Sequence, residues 1–448
     1  MKIFIVGAGE VGTHLAKMLS KEEHDIILMD EKSTALEFAY DNNLEIMPIV
    51  GNPTSKQQLE MAGVEGSELF VAVLPEESRN LIACMLATQI GAHKAIARVS
   101  NSEYQSPENR EYFGSLGVDD MVCPEALASK EIAAGLMIPW TRQYWSFFGG
   151  KLEMLAVQVL ASSPLIDRPL LELKEHNEKY FHIVAILRDD ETIIPTGQDV
   201  VKEDDIVFAT TAPEHREQLR KSCGQEDVEV RRVIIMGGSR IAVRTARLLP
   251  SDWSIKIIER NYEKCVRLSE IVPENTLIIH GDGRDPELLR LEGLTKSQAF
   301  LALTSNSESN MLATLNAKRM GVYRSVAQIE NIDYLDIAYQ MGIGNLINRK
   351  LIAASSIFRY LLNADVTNAK TLTIGQNDIL EVTIQEGSRL TKKPVKDLRL
   401  PRGVTFGGMM RDQEVCLVEG DTHFRAGDVV MVFSAQLSAD ALAKIIGK

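Results

Sequence analysis

The strongest constraint on this chain is a pattern that it writes twice. Lys2–Gly7 (KIFIVG) returns as Arg232–Gly237 (RVIIMG) at an offset of 230 residues. In both copies a short apolar run enters a glycine-rich turn, a helical pattern follows, and a second apolar run ends on an acid. That second run is Ile26 to Asp30 in the first copy and Ile255 to Glu259 in the second. Further on, Gly51-Asn52-Pro53-Thr54 is answered by Gly281-Asp282-Gly283-Arg284, Leu69–Val73 by Ala299–Leu303, and Asn80 by Asn310. Repetition in this order is the mark of a tandem duplication. In the first copy the strand patterns Glu45–Val50, Leu69–Leu74 and Ala95–Val99 alternate with helical ones such as Asn80–Ile90. Such alternation demands right-handed crossovers and a parallel sheet covered on both faces. The expected fold class is therefore α/β, with two Rossmann-like doubly wound parallel-sheet domains, each followed by a small domain.

The turn after the first strand is a full G-x-G-x-x-G, Gly7-Ala8-Gly9-Glu10-Val11-Gly12. Gly7 permits the tight exit from the strand, Gly9 lets backbone approach a pyrophosphate, and Gly12 lets the next helix lie close to the sheet. That helix aims its N-terminal N–H groups and the positive end of its dipole at the phosphates. Asp30 follows Gly12 by 18 residues, where a carboxylate accepts from both hydroxyls of an adenosine ribose and repels a 2′-phosphate. Ligands of such sheets sit beyond the carboxyl ends of the strands, so Gly7, Asp30, Asn52, Leu74 and Arg98 should converge on one crevice.

Length, charge and cysteine usage narrow the functional classes. At 448 residues the chain exceeds one ordinary core and suggests about three domain-sized units. A formal net charge of −13 opposes a grip on nucleic acid or on anionic lipid. No stretch approaches the ~18 uncharged apolar residues of a membrane span, and a cytoplasmic protein is expected. The five cysteines, Cys84, Cys123, Cys223, Cys265 and Cys416, are dispersed and odd in number, which suggests neither a disulfide framework nor a zinc site. No metal site and no catalytic constellation is expected.

Each sheet domain is followed by a helical pattern, Pro124–Met137 in the first half and Arg349–Leu362 in the second. A β-rich segment comes next, Lys151 to about Leu219 and Leu380 to Ile446, and these match as well. Arg188–Val207 answers Arg411–Val430, with Gly197 against Gly420 and Asp205 against Asp428. Lys221–Arg231 is polar and charged, carries Gly224, and reads as a linker.

The order strand, GAGEVG, helix, IILMD, followed by a second copy with IIERN, GDGRDPELL and LNAKRMG, is similar to the regulator-of-potassium-conductance (RCK, or KTN) family. The doubled form in one chain resembles the regulatory subunits of Trk-type potassium uptake. The resemblance covers residues 1 to 447 and implies a division into an RCK-N nucleotide-binding domain at 1–120, connecting helices at 121–150 and an RCK-C domain at 151–220. After the linker at 221–231 it implies a second RCK-N domain at 232–345, connecting helices at 346–372 and a second RCK-C domain at 373–448. It further implies NAD(H), with ATP and ADP as alternatives, as ligands, and a homo-oligomer, a tetramer ring or a dimer. The implied partner is a membrane potassium channel subunit of the TrkH type, met at the inner face of the cell membrane.

Cofactor-binding positions expected in the first copy are Gly7, Gly9, Glu10, Val11, Gly12, Asp30, Gly51, Asn52, Leu74 and Arg98. In the second copy they are Gly237, Ser239, Arg240, Ile241, Glu259 and Asp282. The second copy departs from the pattern, since Ser239 replaces the glycine of close approach and Ala242 the glycine at the helix contact. A binding site and a structural relic both remain open there. Arg98, at the end of the fifth strand, either pairs with phosphate oxygens or forms a salt bridge with Glu103 or Glu76. Asn52 and Asp282 either bond an adenine or ribose edge or close their own turns. The rival function is an NAD-dependent oxidoreductase, for which His176, His182 and His215 form no recognisable proton-transfer constellation.

Overall fold

The computed structural model describes the chain except residues 21–23, 42–44, 176–179, 190, 359, 361–365, 372–376, 399, 402 and 436–448. The expected helix end at Leu362, His176 and the chain end beyond residue 435 lie outside the described residues. Two compact units result. One comprises Met1–Leu127 with the helix Arg349–Phe358, and the other Ala128–Asn348 with the strands that follow Val366.

In the first unit, six strands form one parallel sheet: β1 (Lys2–Val6), β2 (Asp25–Asp30), β3 (Ile46–Val50), β4 (Leu69–Ala72), β5 (Ala95–Arg98) and β6 (Asp120–Val122). Their order is β3-β2-β1-β4-β5-β6, so the strand order reverses between β1 and β4 and opens a crevice beyond their carboxyl ends. Ile3 to Val6 are wholly buried, as an unbroken apolar run must be when helices cover both faces of a sheet. One face packs Ile3, Ile5, Leu28 and Val71 against Val11, Leu15 and Ala16 of the helix Glu10–Leu19. The other packs Phe4 and Phe70, with ring centroids 5.5 Å apart, against Leu81, Ala83 and Cys84 of the helix Glu77–Ile90.

The last piece of this core comes from far along the chain. Ala353, Ala354 and Ile357 of the helix Arg349–Phe358 are buried in the same cluster as Ala8, Val11, Leu15 and Ala16. Small side chains at 353 and 354 let this helix lie close to Glu10–Leu19, and Ile357 fills the remaining gap.

The second unit holds three sheets. Strands β7 (Gln143–Phe147), β8 (Leu152–Gln158), β9 (Phe181–Arg188), β10 (Glu191–Ile193) and β11 (Ile206–Thr211) make an antiparallel sheet in the order β10-β9-β11-β8-β7. A second parallel sheet repeats the first: β12 (Arg232–Met236), β13 (Ser254–Glu259), β14 (Thr276–His280), β15 (Ala299–Ala302), β16 (Arg324–Gln328) and β17 (Asn345–Ile347), in the order β14-β13-β12-β15-β16-β17. The final antiparallel sheet uses β18 (Val366–Thr371), β19 (Asn377–Thr383), β20 (Val404–Arg411), β21 (Glu414–Leu417) and β22 (Val429–Ala435), in the order β18-β19-β22-β20-β21. The two antiparallel sheets share a core. Phe208 and Phe433 lie 5.8 Å apart, and the Thr210 hydroxyl donates to the Gly407 carbonyl at 2.9 Å. Each keeps the same buried clamp: Arg188 grips Asp205 through Nε and Nη2 at 2.8 and 2.7 Å, and Arg411 grips Asp428 at the same distances.

Candidate nucleotide crevices

The first turn is built by β1 and the helix it feeds. Gly7 has φ +100°, a left-handed backbone that favours glycine, and its N–H donates to the Met29 carbonyl at 2.8 Å. A Cβ at Gly12 would stand 1.8 Å from the Gly7 oxygen, so the helix touches the turn only because that carbon is missing. At Gly9 nothing lies within 4 Å of the position a Cβ would take. No side chain caps this helix, which leaves its first N–H groups for a ligand. Asp30 faces the turn with its carboxylate held by two backbone donors, Ala8 N–H at 2.8 Å and Lys32 N–H at 2.9 Å. Gly7, Gly9, Gly12 and Asp30 thus come together as the motif requires.

The other expected residues of the first copy divide. Val11 is buried in the core. Glu10 is largely exposed and pairs with Lys350 Nζ at 3.1 Å. Gly51 donates its N–H to the Asp30 carbonyl at 3.0 Å. Asn52 closes its own turn: its Oδ1 accepts from Thr54 N and Oγ1 at 2.9 and 2.8 Å. Leu74 offers no free N–H, because that group donates to Asn80 Oδ1 at 2.7 Å. Arg98 corrects the expected surface pairing. Its Nη2 lies 3.8 Å from Glu125, not beside Glu103 or Glu76, because Glu125 is buried at the head of the helix Pro124–Met137. Arg349 shares that carboxylate at 3.3 Å, and Arg98 Nε is buried with no protein partner.

Asn80 is the residue that sequence reasoning passed over. Fully buried, it bonds Leu74 N–H and C=O and, at 2.8 Å, the Arg98 carbonyl. One side chain therefore ties the end of β4 to the end of β5 and shapes the crevice floor. Asn310 does the same in the second copy, bonding Thr304 and the Gln328 carbonyl. The repetition of an asparagine at the same offset was the available signal.

The second turn keeps the frame and changes the chemistry. Gly237 has φ +96°, Gly238 N–H donates to Glu259 at 3.0 Å, and Asn261 N–H to the same carboxylate at 3.0 Å. Ser239 caps the helix Arg240–Leu248 by accepting from Ala242 N–H at 3.2 Å, and Ile241 is buried beneath it. Lys264 Nζ lies 2.7 Å from Glu259. Burial acts to raise the Glu259 carboxyl, but Lys264 and the two N–H donors outweigh it and hold that carboxyl below its usual range. Asp282 is gripped by Arg284 through Nε and Nη2, which pushes its pKa down to about 2. Between them opens a cavity of about 330 Å³, lined by Ser239, Glu259, Arg260, Lys264, Asp282 and Arg284 among others. Among the described residues no cluster of three or more metal-ligating side chains occurs, and no helix is long and apolar enough to cross a membrane.

With this geometry in place, the comparisons with known proteins are specific. The TrkA-N domain model matches residues 3–124 and 233–349, and the TrkA-C domain model residues 154–224 and 379–447. A Trk system potassium uptake protein TrkA from Vibrio alginolyticus is 30% identical over 439 residues, 97% of this chain and 95% of that protein. A TrkA homolog from Archaeoglobus fulgidus is 32% identical over 437 residues, 97% of each chain. The GsuK channel in a structure bound to NAD superposes with a TM-score of 0.62 at 16% identity, covering 99% of this chain and 78% of that one. The chain belongs to the TrkA family of Trk-system potassium uptake proteins, with its TrkA-N and TrkA-C domains each present twice.

Proposed function

We propose that this chain is the cytosolic regulatory subunit of a potassium uptake system, and that an adenine dinucleotide held between Gly9 and Asp30 sets its conformation. The observation that carries the reading is the first turn itself: an open Cβ position at Gly9 and uncapped helical N–H groups, with Asp30 aimed across them by two backbone bonds. The pyrophosphate would rest on Gly7 to Gly12 and the adenosine ribose on Asp30. NAD(H) fits that chemistry, with ATP and ADP as the alternatives. The reported NAD complex of the GsuK channel and the family membership support it.

In this reading the sheet domains at 1–120 and 232–345 bind ligand. The segments 121–150 and 346–372 and the small domains 151–220 and 373–448 pass the change through a homo-oligomeric ring to a TrkH-type channel subunit at the inner face of the membrane. Binding shifts such a ring only through unequal affinity for its two states. No catalytic step is assigned to the chain. The test is potassium or rubidium uptake in cells lacking the protein, complemented with wild type and with Gly9→Asp and Asp30→Ala. Uptake restored by wild type and lost in the folded variants is the expected result; uptake indifferent to the protein would overturn the reading.

A further inference from the structure

Two copies of one fold can diverge in ligand, and their matched positions show where. The helix-turn residue Glu10 corresponds to Arg240, Glu31 after the first acid to Arg260, Ala35 to Lys264, and Thr54 to Arg284. Two acids and two neutral residues in the first copy have thus become four cations in the second. Against them the second copy has Asp282 where the first has Asn52, Glu263 for Thr34, Glu308 for Ser78, and Ser309 where the first has Arg79.

Three of these changes, Arg260, Lys264 and Arg284, line the second crevice beside Glu259 and Asp282, on its ribose side. At the first turn Asp30 is hydrogen-bonded only by backbone N–H groups, and the nearest cation, Arg79, is paired with Glu31 at 2.6 Å rather than with Asp30. At the second, Lys264 sits 2.7 Å from Glu259, and Arg260 Nη1 lies 3.9 Å from Asp282, which Arg284 already holds. An acid with an ammonium on it no longer repels a phosphate on the ribose. Arg260 follows the acid directly and is two-thirds exposed, so its guanidinium is free to turn toward such a phosphate and bind it by charge-assisted bonds.

We infer that the second crevice takes a nucleotide phosphorylated on its adenosine ribose, such as NADP(H), while the first takes the unphosphorylated form. The inference rests on the proposal that these domains bind nucleotide. Its direct test is calorimetric titration of NAD⁺ and NADP⁺ into the full chain carrying Gly9→Asp, which silences the first turn, and into that chain with Arg260→Ala or Lys264→Met added. The expected result is NADP⁺ bound at least about tenfold tighter than NAD⁺, with the preference lost in either added variant. Arg260→Ala is the decisive variant, since an exposed side chain leaves the fold intact. NAD⁺ bound as tightly as NADP⁺ in the Gly9→Asp chain, or a preference unmoved by Arg260→Ala, overturns the inference alone. If neither ligand binds the wild-type chain, the nucleotide reading falls with it.

Discussion

The two glycines of the first turn offer a test in which stability and binding separate. In Gly9→Ala the new methyl meets no atom within 4 Å, and φ is −72°, a value open to alanine. Alanine at a helix N-cap costs about 0.5–1 kcal/mol against glycine, and the stiffer unfolded chain returns about 0.4–1 kcal/mol. The two nearly cancel, so the melting temperature should move by no more than ~2 °C. The same methyl, however, occupies the space through which a pyrophosphate reaches the helical N–H groups. Loss of one or two charge-assisted bonds weakens nucleotide affinity on the order of a hundredfold. Gly12→Ala behaves oppositely. Its methyl would lie 1.8 Å from the Gly7 carbonyl oxygen and 3.1 Å from Val73 Cγ2, so helix and turn must part. Overpacking of this kind costs about 1–3 kcal/mol, or roughly 3–10 °C for a domain of this size. Differential scanning calorimetry and isothermal titration with NADH read the two effects separately. A Gly9→Ala chain that melts as early as Gly12→Ala, or that binds NADH as wild type does, would refute the reasoning.

Other expectations follow from single contacts. Asn80→Ala strands the Leu74 and Arg98 backbone groups it now satisfies and should lower the stability of the first unit by at least ~2 kcal/mol in urea titration. Asp282 has a depressed pKa of about 2 because Arg284 holds it. Its stabilising contribution is complete above its unfolded value, near pH 4, and is lost as pH falls through about 2. Arg284→Ala should return the carboxyl toward its ordinary range in an NMR titration. Of the five thiols only Cys416 is exposed, the other four being buried, so a thiol reagent should label one site quickly in the native protein and the rest only on unfolding.

Much of this architecture was legible because glycine and acid positions have backbone reasons. Gly7 and Gly12 are demanded by a left-handed turn and a forbidden Cβ contact, and Asp30 by its place at a strand end, so local pattern alone reaches them. Repetition carried the rest of the order, including both small sheets. What escaped were facts set by distant packing. β6 and β17 are three residues each, too short for a period to register. Arg98 found Glu125 because a helix start is buried beneath it, which no spacing reveals. Lys264 reads as a surface residue of a helix's first turn, and only the fold shows that it reaches back to the acid at the end of β13. The seal of the first core by Ala353, Ala354 and Ile357 is the largest such case, since amphipathic periodicity tells that a helix has a partner but not which one.

That seal has a consequence in time. The ribosome completes β6 at Val122, yet the helix that closes this core ends at Phe358. At about 5–20 residues per second, roughly ten to fifty seconds of synthesis separate the two. Throughout that interval the apolar flank formed by Ala8, Val11, Leu15 and Ala16 lacks the helix that covers it, and the whole second sheet domain is synthesised before that helix. A chaperone that shields apolar surface during translation should therefore engage this protein over the whole passage of its second half, and release it only once residue 358 has cleared the tunnel.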